Sequence, residues 1–152
     1  SLLAGRYSEA VALLEEARGV SSAAVADWYL AQAYYYQGAP ERAEQILSDL
    51  HGSAQPEQRA KATLASFLAA RNEKQRAARL LEEVLAGSYQ DHHVHYSVGV
   101  AYAQLGDRTK ARLWLARAVC HNSVIKLRRG NGWRALLQPG FPVIRGSSAT
   151  NF

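Results

Sequence analysis

Apolar residues recur along this chain at three- and four-residue intervals, without the strict alternation of a strand, so the elements predicted are helices. Leu30, Ala31 and Tyr34 set a large, a small and an aromatic residue on one helical face, and Val98, Gly99 and Tyr102 repeat the set. Such a face lets two helices approach closely and fills the gap between them. A second kind of face follows each of these. Ala10, Ala43, Ala77 and Ala111 occupy one equivalent site, with Leu14, Leu47, Leu81 and Leu115 four residues on and Ala17, Leu50, Val84 and Ala118 three beyond those. The small residue permits a tight crossing, and the larger ones supply its apolar contact.

Between the two faces lies one turn in four copies: Gly5-Arg6-Tyr7-Ser8-Glu9-Ala10, Gly38-Ala39-Pro40-Glu41-Arg42-Ala43, Asn72-Glu73-Lys74-Gln75-Arg76-Ala77 and Gly106-Asp107-Arg108-Thr109-Lys110-Ala111. Their first residues are 33, 34 and 34 apart. A fixed period of that length means stacked two-helix units that share one continuous core. Gly and Asn fit the left-handed backbone that ends a helix, and Pro40 stands where a second helix begins, its missing N–H costing nothing there. The fold class is therefore all-α, built of antiparallel helix hairpins. An array over residues 1–120 is expected, with a partial repeat at 1–22 and full repeats at about 24–56, 58–90 and 92–122. A basic capping segment at 123–146 and a flexible tail at 147–152 follow. Ser1 to Leu3 read as the end of an earlier helix and the chain starts without Met, which suggests a fragment of a longer protein.

The order of large residue, Gly or Ala, Tyr, Gly, Ala, Leu and Ala resembles the tetratricopeptide repeat over residues 1 to about 120. The third unit departs from it, with Leu64, Ala65 and Leu68 at the sites and no Tyr; Asp27 and His95 stand where Trp is usual. The resemblance implies a right-handed superhelix that binds a peptide or protein on its concave side. The stretch from Asp91 to Asp107 looks like the last repeat of arrays in large bacterial signalling proteins, where such arrays follow kinase or winged-helix domains. The family's clamp on a terminal carboxylate would need Lys, Asn and Arg at Trp28, Gln32, Thr63, His93 and Ser97, so that ligand mode is not expected.

In such a superhelix the first helix of each unit lines the concave side. Its non-core sites are Val25, Trp28, Gln32, Tyr35 and Tyr36 in the second unit, Arg59, Ala62, Ser66, Ala69 and Ala70 in the third, and His93, Tyr96, Val100, Ala103 and Gln104 in the fourth. Trp28, Tyr35, Tyr36 and Tyr96 are expected to form an aromatic wall beside a floor of small residues from Ala62 to Ala70. Rigid aromatics give much contact area for little lost rotamer freedom, which suits a peptide ligand. The plainer alternative is that Tyr35 and Tyr36 only cover neighbouring helices.

Charge and composition sharpen the picture. The hydrophobic fraction of 48% suffices for one core. No apolar run reaches the roughly 18 residues of a membrane span, so no membrane partner is expected. The single cysteine, Cys120, forms no internal disulfide, in keeping with a cytoplasmic setting. Residues 1–90 hold nine Lys or Arg against eleven Asp or Glu, whereas 91–152 hold nine against two. The C-terminal part is thus a basic face. Lys126 to Arg134 with Trp133 could touch nucleic acid, but no nucleic-acid module contains them, and a solvated tail or a cap over the last repeat is the better reading.

Catalytic and metal chemistry find little support. His92, His93 and His95 cluster at a helix start, and only Asp91 stands near them as a further ligand, so solvent-exposed histidines are expected rather than a metal site. Cys120 and His121 are adjacent and point apart on a helix. No phosphate loop or nucleophile elbow occurs. The reading is a non-enzymatic interaction scaffold without cofactors; the alternative is a module that self-associates, as a homodimer, through an exposed repeat edge at Leu2, Leu3, Tyr7 and Leu14.

Overall fold

The computed structural model describes residues 2–18, 23–50 and 53–127. Its helices are α1 (Leu2–Ala17), α2 (Ala23–Gln37), α3 (Pro40–Asp49), α4 (Ala54–Ala70), α5 (Lys74–Ala86), α6 (His92–Gln104) and α7 (Arg108–Leu127). Among the described residues there is no strand. The pairs α2/α3, α4/α5 and α6/α7 are helix hairpins, α1 packs on α2, and α4 joins the units by packing against α2, α3 and α6. The expected hairpin order is therefore present.

The core follows the two repeated faces. Leu30 and Ala31, Leu68 and Ala65, and Val98 with Gly99 are buried, as are Ala43 and Leu47 in α3 and Ala77, Leu81 and Val84 in α5. The second helix of a hairpin shows one buried stripe because its other side meets water. The central first helix is different. In α4 every residue from Ala62 to Ala69 is buried, since neighbours enclose it on several sides. On the outside of α3 and α5, Arg71 and Arg76 pair with Glu41, Glu44 and Glu73. Exposed pairs of this kind add little stability each, about 0–1 kcal/mol.

Three of the four copied turns close in one way. The N–H groups of Ala39, Glu73 and Asp107 donate back to the carbonyls of Tyr34, Leu68 and Tyr102, each at 2.9 Å. This six-to-one bond requires the residue before it to be left-handed, and Gly38, Asn72 and Gly106 have φ of 99°, 65° and 88°. The fourth copy behaves differently. Gly5 lies inside α1, without the positive φ of the others, so the expected turn and the preceding helix tail are replaced by one continuous helix. A glycine within a helix costs only about 0.5–1 kcal/mol relative to alanine, less than abandoning the helical hydrogen bonds around it.

Gly99 serves a close approach. An alanine methyl there would stand 2.7 Å from Leu115 Cγ and 3.0 Å from the Leu115 backbone nitrogen, inside van der Waals contact. The leucine side chain can turn away, but the backbone of α7 cannot. Gly99→Ala is expected to destabilise the last hairpin by about 1–3 kcal/mol in urea unfolding. An unchanged midpoint would contradict the tight α6/α7 crossing.

The basic segment at 123–146 and the tail at 147–152 lie largely outside the described residues; α7 carries the described chain as far as Leu127. The same holds for Arg128 to Arg134 and Trp133.

Candidate partner-binding face

Trp28 sits at the junction of three first helices. Its indole Nε1 donates to Thr63 Oγ1 of α4 at 2.8 Å, the His93 ring of α6 meets it edge-on with centroids 5.0 Å apart, and the Arg59 guanidinium lies 5.5 Å from its ring centre. Only 6% of the residue is exposed. Arg59 in turn places Nε at 2.8 Å and Nη2 at 2.7 Å from Asp91 Oδ2. The other carboxylate oxygen of Asp91 accepts the Val94 N–H at 2.9 Å and so caps α6, while the Tyr89 hydroxyl donates to Oδ2 at 3.1 Å. Burial opposes the charge of Asp91, but the Val94 amide and the Arg59 guanidinium outweigh it and hold the carboxyl below the ordinary carboxylate range. The group stays ionised because every side of it is answered.

A second cluster is open to solvent. Tyr7 of α1 stacks on Tyr36 of α2 with centroids 5.7 Å apart, and Tyr36 stands edge-on to Phe67 of α4 at 6.3 Å. Tyr35 lies flat on Phe67, 3.8 Å away and 5° from parallel. Burial first, and then the hydroxyls of Tyr96, Tyr35 and Tyr7, raise the Tyr36 phenol above the ordinary tyrosine range. Four tyrosines from α1, α2 and α6 thus share one electrostatic neighbourhood. Tyr36 is 58% and Tyr96 54% exposed, far more than aromatic residues that only fill a core.

The residues expected on the concave face divide accordingly. Val25, Tyr36 and Tyr96 are exposed, while Gln32, Tyr35, Arg59, His93, Val100 and Gln104 are half-buried. Trp28 and Ser66 are buried, and the expected aromatic wall loses Trp28 to the interior because its N–H is satisfied by Thr63. Ser66 donates to the Thr63 carbonyl at 2.6 Å. The floor of small residues is likewise closed over from Ala62 to Ala69, at 0% and 4% exposure at its ends, and Ala70 beyond them is exposed. Tyr7, Phe67 and Asp91 complete the two clusters without having been singled out as face residues in the sequence. For Asp91 a signal existed, an Asp immediately ahead of a helix start.

The histidines depart from expectation. His92, His93 and His95 are half-buried rather than open to solvent, because each meets a ring: His92 and His93 lie 4.0 Å apart, His93 abuts Trp28, and His95 lies 5.3 Å from Trp114. Among the described residues no group of three His, Cys, Asp or Glu gathers as metal ligands would. Burial, then His92 and Arg59, press the His93 imidazole below its ordinary 6.5, against the pull of Asp91. The folded array then binds fewer protons than the unfolded chain as pH falls through about 6.5, so stability is lost there. Asp91 adds a second loss below its ordinary 3.8, where the unfolded chain takes up a proton first. A pH series of melting curves should show both steps, the upper one missing in His93→Phe. A flat curve across the upper window would contradict the packing of His93 against Trp28.

With the hairpins and the face described, comparison with protein families gives a direct result. One model of the tetratricopeptide repeat matches residues 1–67, and a second matches residues 62–124. The chain is a tetratricopeptide-repeat protein. Comparison with curated proteins and with solved structures returns no match. Tetratricopeptide repeats generally mediate interactions between proteins and are typically not catalytic. Among the described residues of this tetratricopeptide-repeat protein, no helix is long and apolar enough to cross a membrane.

Proposed function

We propose that the array is a non-enzymatic scaffold that holds a peptide or protein segment on its concave face, with Tyr36 and Tyr96 as the main contacts and Tyr7, Tyr35 and Phe67 holding Tyr36 in place. The observation that carries this reading is the exposure of Tyr36 and Tyr96, with Tyr36 held between the rings of Tyr7 and Phe67. A tyrosine offers a broad apolar surface and one hydroxyl while losing little rotamer freedom, which is why such residues dominate binding energy at interfaces. The likeness of residues 91–107 to the last repeat of signalling arrays supports a place in a larger bacterial protein, working in the cytoplasm.

The test uses a peptide selected from a displayed random library on the wild-type array. Tyr36→Ala with Tyr96→Ala is expected to weaken that peptide at least about tenfold, on the order of 1.4 kcal/mol or more, as for central aromatic contacts. Melting should fall only modestly, by the loss of the Tyr36 contacts with Tyr7 and Phe67, about 0.5–1.5 kcal/mol for each aromatic pair, with the array still folded. Equal affinity for the double variant would contradict the proposal.

The alternative is self-association through exposed repeat ends. Leu13 on α1 and Leu113 on α7, at 60% and 50% exposure, favour it, whereas Tyr7 and Leu14 are already engaged, Tyr7 on Tyr36 and Leu14 against the core. A monomeric mass by light scattering at all concentrations would remove it.

A further inference from the structure

Beside the tyrosine face, a half-open pocket of about 130 Å³ lies between the N-terminal turns of α2 and α4. Helix α2 lines it with Ala24, Val25 and Trp28; Ser53, Gln55, Pro56 and Arg59 close it from the side of α4. A cavity of about 150 Å³ holds one benzene molecule, so this space suits one aliphatic side chain and no larger ligand. Its chemistry points the same way. The one formal charge in the wall, on Arg59, is met by Asp91 at 2.7 Å, and Ser53 and Gln55 add only neutral polar groups, so no free positive charge compensates an acidic side chain for lost water. Val25 is 44% exposed at the rim and would be covered by an apolar occupant.

We propose that this pocket anchors one leucine-sized aliphatic side chain of the bound segment. The inference rests on the reading that the concave face holds such a segment, and it specifies what that segment contains. Trp28 and Tyr36 are eight residues apart on α2, so about 12 Å separates the pocket from the tyrosines along the helix axis. An extended chain covers that distance in about four residues. The recognised segment therefore carries its aliphatic anchor about four residues from the part that lies on Tyr36 and Tyr96.

The pocket can be tested without the partner. N-acetyl-leucine amide is titrated into the intact chain while the Trp28 indole N–H and the Val25 amide are followed by nuclear magnetic resonance, with N-acetyl-aspartate amide as the charged control. The expected result is a saturable shift for the leucine derivative, with a Kd of about 10 mM, the order for one side chain of this size. The aspartate derivative should give none. Val25→Trp fills the mouth from an exposed position and should abolish the shift. No saturable shift, equal shifts from both amides, or a shift undiminished in Val25→Trp would overturn the proposal. The titration should be unaltered in Tyr36→Ala with Tyr96→Ala. A failure of the tyrosine face is thereby told apart from a failure of the pocket.

Discussion

Asp91→Ala is expected to lower the stability of the array by about 3 kcal/mol, a fall in melting temperature of roughly 10 °C. Three losses coincide in that one substitution. The Val94 N–H loses its acceptor at the start of α6, a cap whose removal alone costs about 1 kcal/mol. The Arg59 guanidinium loses the carboxylate that answers its charge, and the Tyr89 hydroxyl loses its acceptor. Breaking a buried pair on one side costs about 3–5 kcal/mol, and the lower end applies because the Arg59 side chain keeps 17% of its exposure. Asp91→Asn separates the parts. The amide oxygen can still cap α6, so about a third of the loss should be recovered. Thermal melting of both variants checks this, and an Asp91→Ala midpoint within a degree or two of wild type would show that the ion pair does not hold α4 to α6.

Trp28→Ala is expected to be costlier, about 3–5 kcal/mol, because it empties the junction of α2, α4 and α6. The indole is 6% exposed and touches Thr63, Arg59 and His93, so its removal leaves a cavity and deprives Thr63 Oγ1 of its donor. Since Trp28 of the second unit touches Thr63 of the third and His93 of the fourth, the loss should show as early melting where these units meet rather than as a uniform shift. Hydrogen exchange on α2 and α4 amides would locate it. A Trp28→Ala array that melts like wild type would mean that the indole is a surface residue after all.

The hairpins were legible because their signals are local. Gly38, Asn72 and Gly106 need left-handed backbone, and the Ala, Leu and Val sites of α3 and α5 face inward by helical spacing alone. Gly5 misled because the same six-residue pattern is compatible with a continuous helix, and α1 runs through it without a positive φ. The register of the candidate face residues was legible, but their exposure was not. Trp28 and Tyr96 occupy equivalent sites of their repeats, yet one is 6% and the other 54% exposed. The difference lies in what comes next. Helices α4 and α6 bring Thr63, Arg59 and His93 onto Trp28, whereas among the described residues no later first helix covers Tyr96. A pattern that repeats every 34 residues cannot encode that asymmetry, because it depends on place in the stack. Tyr7, read as an edge residue, and Phe67 were not placed on the face for a related reason: only the packed array brings both to Tyr36.

Where a bound peptide touches the array is the most direct test of the tyrosine face. With a library-selected peptide added to the labelled protein, chemical-shift changes should concentrate on the rings of Tyr36 and Tyr96 and on Tyr7 and Phe67 beside Tyr36. Changes confined to the outer surfaces of α3, α5 and α7, with those four rings unmoved, would contradict it.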